Sequence, residues 1–296
     1  MKILSKYWPL FVTLILLLSL FLAWYPRHVS NNLLVNDDAD YAYAAKRGFY
    51  ANAWDENALS WDTFLTMGFE KGMETGNYTS LSNFIRTSNS IPFYRHYHGP
   101  LYYYGLAAAM KAGSNERWLR FSGLFWLIGM SAAAIGALLM IYPHKSLWSP
   151  IFAGCLVGFS YTGFSAATLL TGHVAFACFS IISLAAAGKW LAEHNRRWLI
   201  VSGLAGGVAF ATMEYSILIP FSILIATWLH RRLDTGHVWK SIAIDAGVWA
   251  FNSVLALFAV WPAGILKLTI VKNYIFLIYE LLIRSESYRK EGGILV

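Results

Sequence analysis

The chain has 296 residues, of which 57% are hydrophobic, 17% aromatic and only 13% charged, where soluble domains carry about 25% charged residues. That balance excludes a soluble globular fold and makes lipid the solvent; the thirteen tryptophans and seventeen tyrosines suit a bilayer interface. The net charge of +7 is met by anionic headgroups, and no nucleic-acid module accompanies it, so the membrane and not a nucleic acid is the expected partner.

A hydrocarbon core of about 30 Å takes about 20 apolar residues in a helix, and such runs recur along the chain. Residues 1–26 form a first anchor: Trp8 to Tyr25 is uncharged, follows Lys2 and Lys6, and leaves through Ala23-Trp24-Tyr25-Pro26 with no small-residue cleavage site. Residues 27–120 then form the largest segment outside the membrane. Within it, Pro100 to Lys111 is too short to cross and rich in tyrosine, which predicts a helix lying flat at headgroup depth.

Residues 121–266 carry transmembrane helices two to seven. Phe121 to Tyr142 is the second span. Leu147 to Gly188 has no acid or base apart from His173 and is long enough to cross twice, turning at Thr171-Gly172-His173. Trp198 to Leu229 contains one charge, Glu214, and reads as two short spans meeting there. Ala246 to Leu266 is the last span, and residues 267–296 form an aromatic interfacial segment at which the chain reads as truncated. The expected fold is therefore an all-α polytopic membrane protein, a bundle of about seven transmembrane helices.

Basic residues collect on the cytoplasmic side. Lys145, Arg196 with Arg197, and His230-Arg231-Arg232 to Lys240 share one side with Lys2 and Lys6 only if Pro100 to Lys111 does not cross. The outer face then holds residues 27–120, the His173 turn, the Glu214 turn and the tail after Pro262. Cys155 and Cys178 both sit in apolar runs, which speaks against a disulfide framework or a metal-thiolate site.

Taken singly, the polar features of the outer segments have bland explanations. Tyr102 to Tyr104 is a set of interfacial anchors. His96 and His98 lack a third ligand nearby, and Asn77-Tyr78-Thr79 is a tripeptide common by chance. Asp37, Asp38 and Asp40, three carboxylates within four residues, suit a solvated loop or a helix cap. Glu214 is different, because a carboxylate within an apolar stretch is a functional candidate by default.

The order of the features carries more than any one of them. Asn36-Asp37-Asp38-Ala39-Asp40-Tyr41-Ala42, His98-Gly99-Pro100-Leu101-Tyr102-Tyr103-Tyr104, Asn115-Glu116-Arg117-Trp118-Leu119-Arg120 and the Gly-rich run from Gly203 to Thr212 follow one another. That series resembles the polyprenyl-phosphate-dependent glycosyltransferases of the GT-C class, in particular the protein O-mannosyltransferase and lipid A aminoarabinose transferase superfamily. The resemblance implies a transferase in the inner (plasma) membrane of a bacterium. It would move a sugar from a polyprenyl-phosphate-linked donor to a lipid, glycan or protein acceptor at the outer face.

On that resemblance the catalytic carboxylate is Asp37, with Asp38 beside it. A carboxylate within hydrogen-bond reach of an acceptor hydroxyl suits it as general base, and a phosphate leaving group needs cations. Arg95, His96 and His98 stand where family members hold a basic residue for the carrier phosphate, and Arg120 assists from the start of the second span. Tyr41, Tyr102, His173 and Glu214 complete the expected substrate-binding set. No confident cofactor is implied, although a divalent cation held by Asp37 or Asp38 together with carrier phosphate would leave no sequence signature.

Three departures accompany the match. The family's frequent Lys-Pro is His98-Gly99-Pro100, its second outer acid is replaced by Gly172-His173, and its Thr-Lys-Gly by Thr212-Met213-Glu214. The alternative function is a polytopic transporter or flippase, or a non-catalytic lipid-carrier-binding protein. Such a transporter predicts internal repeats, and none is found.

Overall fold

Apolar segments in lipid satisfy their backbone groups only within a helix or a closed barrel, and every element among the described residues is a helix. The computed structural model describes residues 41–42, 45–54, 99–112, 116–142, 148–168, 170–213, 216, 218–231 and 238–267, with scattered helical positions between 8 and 23. In chain order the elements are α1 (Gly48–Trp54), α2 (Leu101–Ala112), α3 (Glu116–Ile141), α4 (Trp148–Gly158), α5 (Tyr161–Thr168), α6 (His173–Glu193), α7 (Arg196–Phe210), α8 (Leu218–Arg231), α9 (Val238–Val260) and α10 (Ala263–Leu266).

The chain is an all-α membrane protein. Three helices, over Ser122–Ile141, His173–Glu193 and Trp239–Val260, are long and apolar enough to cross a bilayer, and α4 with α5 makes a fourth if that bent pair is one span. Helices α7 and α8 have 15 and 14 residues, fewer than the roughly 20 that a full crossing takes. Helix α7 ends at Phe210 and α8 begins at Leu218, to either side of the break expected at Glu214.

Helix α3 packs against α4, α5 and α6; α6 packs against α7, and α7 against α9, with α8 touching both α6 and α9. The α6–α7 connection is tight. His194 takes a left-handed conformation (φ 54°) while its N–H bonds Trp190 O, and the Asn195 side chain then caps α7 by accepting from Arg197 N at 3.1 Å.

The seam between α7 and α9 explains the Gly-rich run. A Cβ at Gly207 would lie 2.0 Å from Ser253 O, and one at Gly203 would lie 2.6 Å from Trp249 O. Bare backbone is what lets the two helices approach this closely, as small residues do between helices in lipid. Beside the seam the Trp249 indole N–H donates to Ser202 Oγ at 3.0 Å, and Ser183 Oγ donates to Ser202 O at 2.8 Å. Three buried polar side chains thereby satisfy one another inside the bundle.

The bend between α4 and α5 is 50° and is closed by one hydroxyl. Ser160 Oγ donates to Val157 O at 2.9 Å and accepts from Gly163 N at 3.0 Å, so it finishes one helix and caps the next. The sequence reading has a single unbroken crossing here; serine and glycine inside an apolar run do not interrupt its hydropathy.

Three boundaries also differ from expectation. Helix α6 runs past Gly188 to Glu193, carrying Lys189 with it, and the helix of the last span begins at Val238 rather than Ala246 and ends at Val260 rather than Leu266. Asp245 therefore lies inside α9, only 4% exposed and one turn ahead of Trp249.

Candidate functional site

Those expected site residues that are described, Tyr41, Tyr102, Arg120 and His173, gather at one end of the bundle, and backbone contacts define it. Leu101 N donates to Ala211 O at 3.1 Å, joining the start of α2 to the end of α7. A Cβ at Gly99 would lie 2.2 Å from that same Ala211 O. The position preceding Pro100 thus accepts only glycine, which accounts physically for the absence of a lysine there.

Helix α2 is anchored a second time by Tyr104, whose hydroxyl donates to Val260 O at 2.8 Å at the end of α9. Burial pushes the Tyr104 phenol above its ordinary value. Leu101 joins Phe210, Leu257 and Val260 around buried Ala211, Trp261 and Ala263. The first turn of α2, within the segment expected to form an interfacial helix, is accordingly tied to the ends of two longer helices, α7 and α9.

Tyr41 is buried against α2, its ring 5.6 Å and nearly perpendicular to that of Tyr102, and 5.6 Å from that of Tyr103. Leu119 belongs to the same apolar cluster. The acidic stretch's Tyr-Ala step, the aromatic helix and the start of the second span, widely separated in sequence, therefore share one core. Helix α1 adds to this layer. Phe49 stacks 5.5 Å from Tyr104, and Lys111 Nζ lies 5.2 Å from the Phe49 ring centroid, within cation–π range.

Arg120 is 5% exposed and donates from Nη1 to Thr168 O at 2.9 Å. That carbonyl ends α5, where a cation complements the helix dipole. The chain then turns through Leu170 and Gly172 into α6. The Thr171 hydroxyl and His173 Nδ1 are hydrogen-bonded to each other, and His173 is exposed. Gly172 faces Met213, whose Cγ a Cβ there would meet at 3.4 Å. Arg120, the His173 turn, the end of α7 and the start of α2 thus form one connected set.

Asp37, Asp38, Arg95, His96, His98 and Glu214 lie outside the described residues, as does Asp40. Among the described residues no group of three His, Cys, Asp or Glu comes together as a metal set. The sequence reading singled out Tyr102, which is buried against Tyr41, and passed over Tyr104, which ties α2 to the end of α9. It also missed Asp245, Lys189 and the Ser183–Ser202–Trp249 network. Serines inside spans and the i,i+4 pair Lys189/Glu193 were the available signals.

Comparisons with protein-family models, with curated proteins and with solved structures find no match for the chain.

Proposed function

We propose that the chain is a membrane glycosyltransferase that moves a sugar from a polyprenyl-phosphate-linked donor to an acceptor at the face of the bundle where α2 lies. The observation that carries this reading is the packing of Tyr41 on Tyr102. It brings the end of the Asp37–Ala42 stretch onto the aromatic helix, at the same end as Arg120 and the His173 turn. The resemblance in motif order and the burial of Tyr41, Tyr102 and Leu119 in one cluster support it together, with a GT-C arrangement of about seven helices as the proposed architecture.

In the proposed reaction an acceptor hydroxyl attacks the anomeric carbon and its proton passes to the Asp37 carboxylate. The bond from that carbon to the carrier phosphate breaks, and polyprenyl phosphate leaves with the electron pair. Arg95, His98 and Arg120 are the proposed cations for the leaving phosphate, with Asp38 orienting the acceptor or its neighbour.

The test is transfer from a polyprenyl-phospho-sugar by the purified full-length protein. Asp37→Asn is expected to slow turnover by about 10²- to 10⁴-fold while leaving carrier-lipid affinity intact, since it removes only a negative neighbour of the phosphate. If Asp38→Asn alone abolishes turnover, the register shifts by one residue. If neither variant slows it, the enzyme reading of this loop fails. The bend between α4 and α5 favours a second reading, a transporter or flippase, because interrupted helices line many transport sites; movement of carrier lipid across vesicles without sugar transfer selects it.

A further inference from the structure

At the opposite end of the bundle, an apolar groove of about 330 Å³ opens between α3 and α6. Gly129, Ala132, Gly136 and Met140 line one side, with Ile182 and Ala185 on the other. From Gly129 to Met140 the groove follows α3 for about 16 Å at 1.5 Å per residue, close to half of a hydrocarbon core of about 30 Å. That is the length of one leaflet. A Cβ at Gly136 would meet nothing within 4 Å, so the space is open and not closed by neighbouring side chains.

The mouth of the groove is charged. Lys189, one turn beyond Ala185, donates from Nζ to the carbonyl of groove-lining Met140 at 3.0 Å. It also pairs with Glu193 at 3.3 Å and lies 4.8 Å from the Trp198 ring centroid. Glu193 is further engaged by the Trp198 indole N–H at 3.0 Å. The neighbouring Arg196 and Arg197 are exposed, and neither guanidinium has a partner among the described residues. Three cations against one carboxylate leave a positive excess. Two of those cations sit in the first turn of α7, where the helix dipole disfavours them, so a bound anion there offsets both effects.

We propose that the groove seats one acyl chain of an anionic glycerophospholipid from the leaflet on the Lys189 side, with the lipid phosphate held by Arg196 and Arg197. A chain slot one leaflet deep with positive charge at its mouth matches such a lipid in both shape and charge. A second helix docked on the small residues would have no use for the cations. The proposal is independent of the transferase reading, because it concerns the other end of the bundle.

The test uses detergent-solubilised full-length protein equilibrated with phosphatidylglycerol or phosphatidylcholine carrying identical palmitoyl and oleoyl chains, with retained lipid counted by mass spectrometry. Phosphatidylglycerol is expected to be retained at about one per chain and phosphatidylcholine about tenfold more weakly, the equivalent of about 1.4 kcal/mol. Gly136→Leu, and Ala137→Leu as an independent filling variant, are expected to lower retention of both lipids at least tenfold. Arg196→Gln with Arg197→Gln is expected to erase only the difference between them. Wild-type retention in either correctly folded filling variant overturns the proposal. So does a filling variant that splits a dimer without changing retention, which would assign the groove to a second copy.

Discussion

The Tyr104 hydroxyl donates to the carbonyl oxygen of Val260, so a side chain from the segment after the first span closes the end of the last long helix. Losing that bond strands a carbonyl that α9 itself leaves without a partner. Tyr104→Phe is expected to cost about 0.5–1.5 kcal/mol, read as a lower midpoint in thermal unfolding. The effect also depends on pH. Because burial raises the Tyr104 phenol above 10.0, the stabilisation from the neutral group is complete below pH 10 and fades as the pH rises further. Above about pH 10, wild type should therefore lose stability more steeply than Tyr104→Phe; parallel slopes would dismiss the burial argument.

Gly207→Ala places a Cβ 2.0 Å from Ser253 O and forces α7 and α9 apart. Overpacking of this kind costs about 1–3 kcal/mol. Gly247→Ala, on α9 where a Cβ meets nothing within 4 Å, is the control and should gain up to about 1 kcal/mol from helix propensity. Equal midpoints for the two variants would remove close backbone approach as the reason for the Gly-rich run.

Arg120 holds the end of α5 whatever else it does. Arg120→Met should lower stability by about 1.5–3 kcal/mol, the range for a hydrogen bond to a charged group. Under the proposed function it should also weaken polyprenyl-phosphate binding about tenfold or more. Arg120→Lys restores the charge without the planar fork and should recover affinity only in part. Lost stability with unchanged affinity confines Arg120 to capping α5.

Single cysteines report sidedness. Placed at Ser60 or Ser88 in a background lacking Cys155 and Cys178, they are expected to react with an impermeant reagent applied to intact cells, and one at Asn195 is not. Reaction at Asn195 alone would invert the bundle and take the proposed transferase with it.

The long uncharged runs made α3 and α6 readable from sequence, and the turn at Gly172-His173 stands where glycine and the lone histidine put it. Charge was a less faithful guide to helix ends. The last span, expected from Ala246, leaves out Asp245, yet Asp245 is buried one turn from Trp249 inside α9; the run expected to stop at Gly188 leaves out Lys189, which belongs to α6 and pairs with Glu193. A hydropathy profile registers the cost of a charge in lipid but not the partner that offsets it. The bend at Ser160 was invisible for the converse reason, since its hydroxyl is satisfied locally and costs the profile almost nothing. At the candidate site, motif order led to Tyr41, Tyr102 and Arg120, all buried at one end. No pattern in the chain distinguishes Tyr104 from its neighbours; that distinction comes from where the last turn of α9 happens to end.

Because α2 is tied to Ala211 at its start and to Val260 through Tyr104, it works as a crossbar over two parallel beams already fastened along their glycine seam. Lifting the crossbar means releasing both beams at once. The amide of Leu101, though it opens a short helix outside the long spans, should therefore trade its hydrogen for deuterium on the slow clock of the bundle and not on the fast clock of a surface loop.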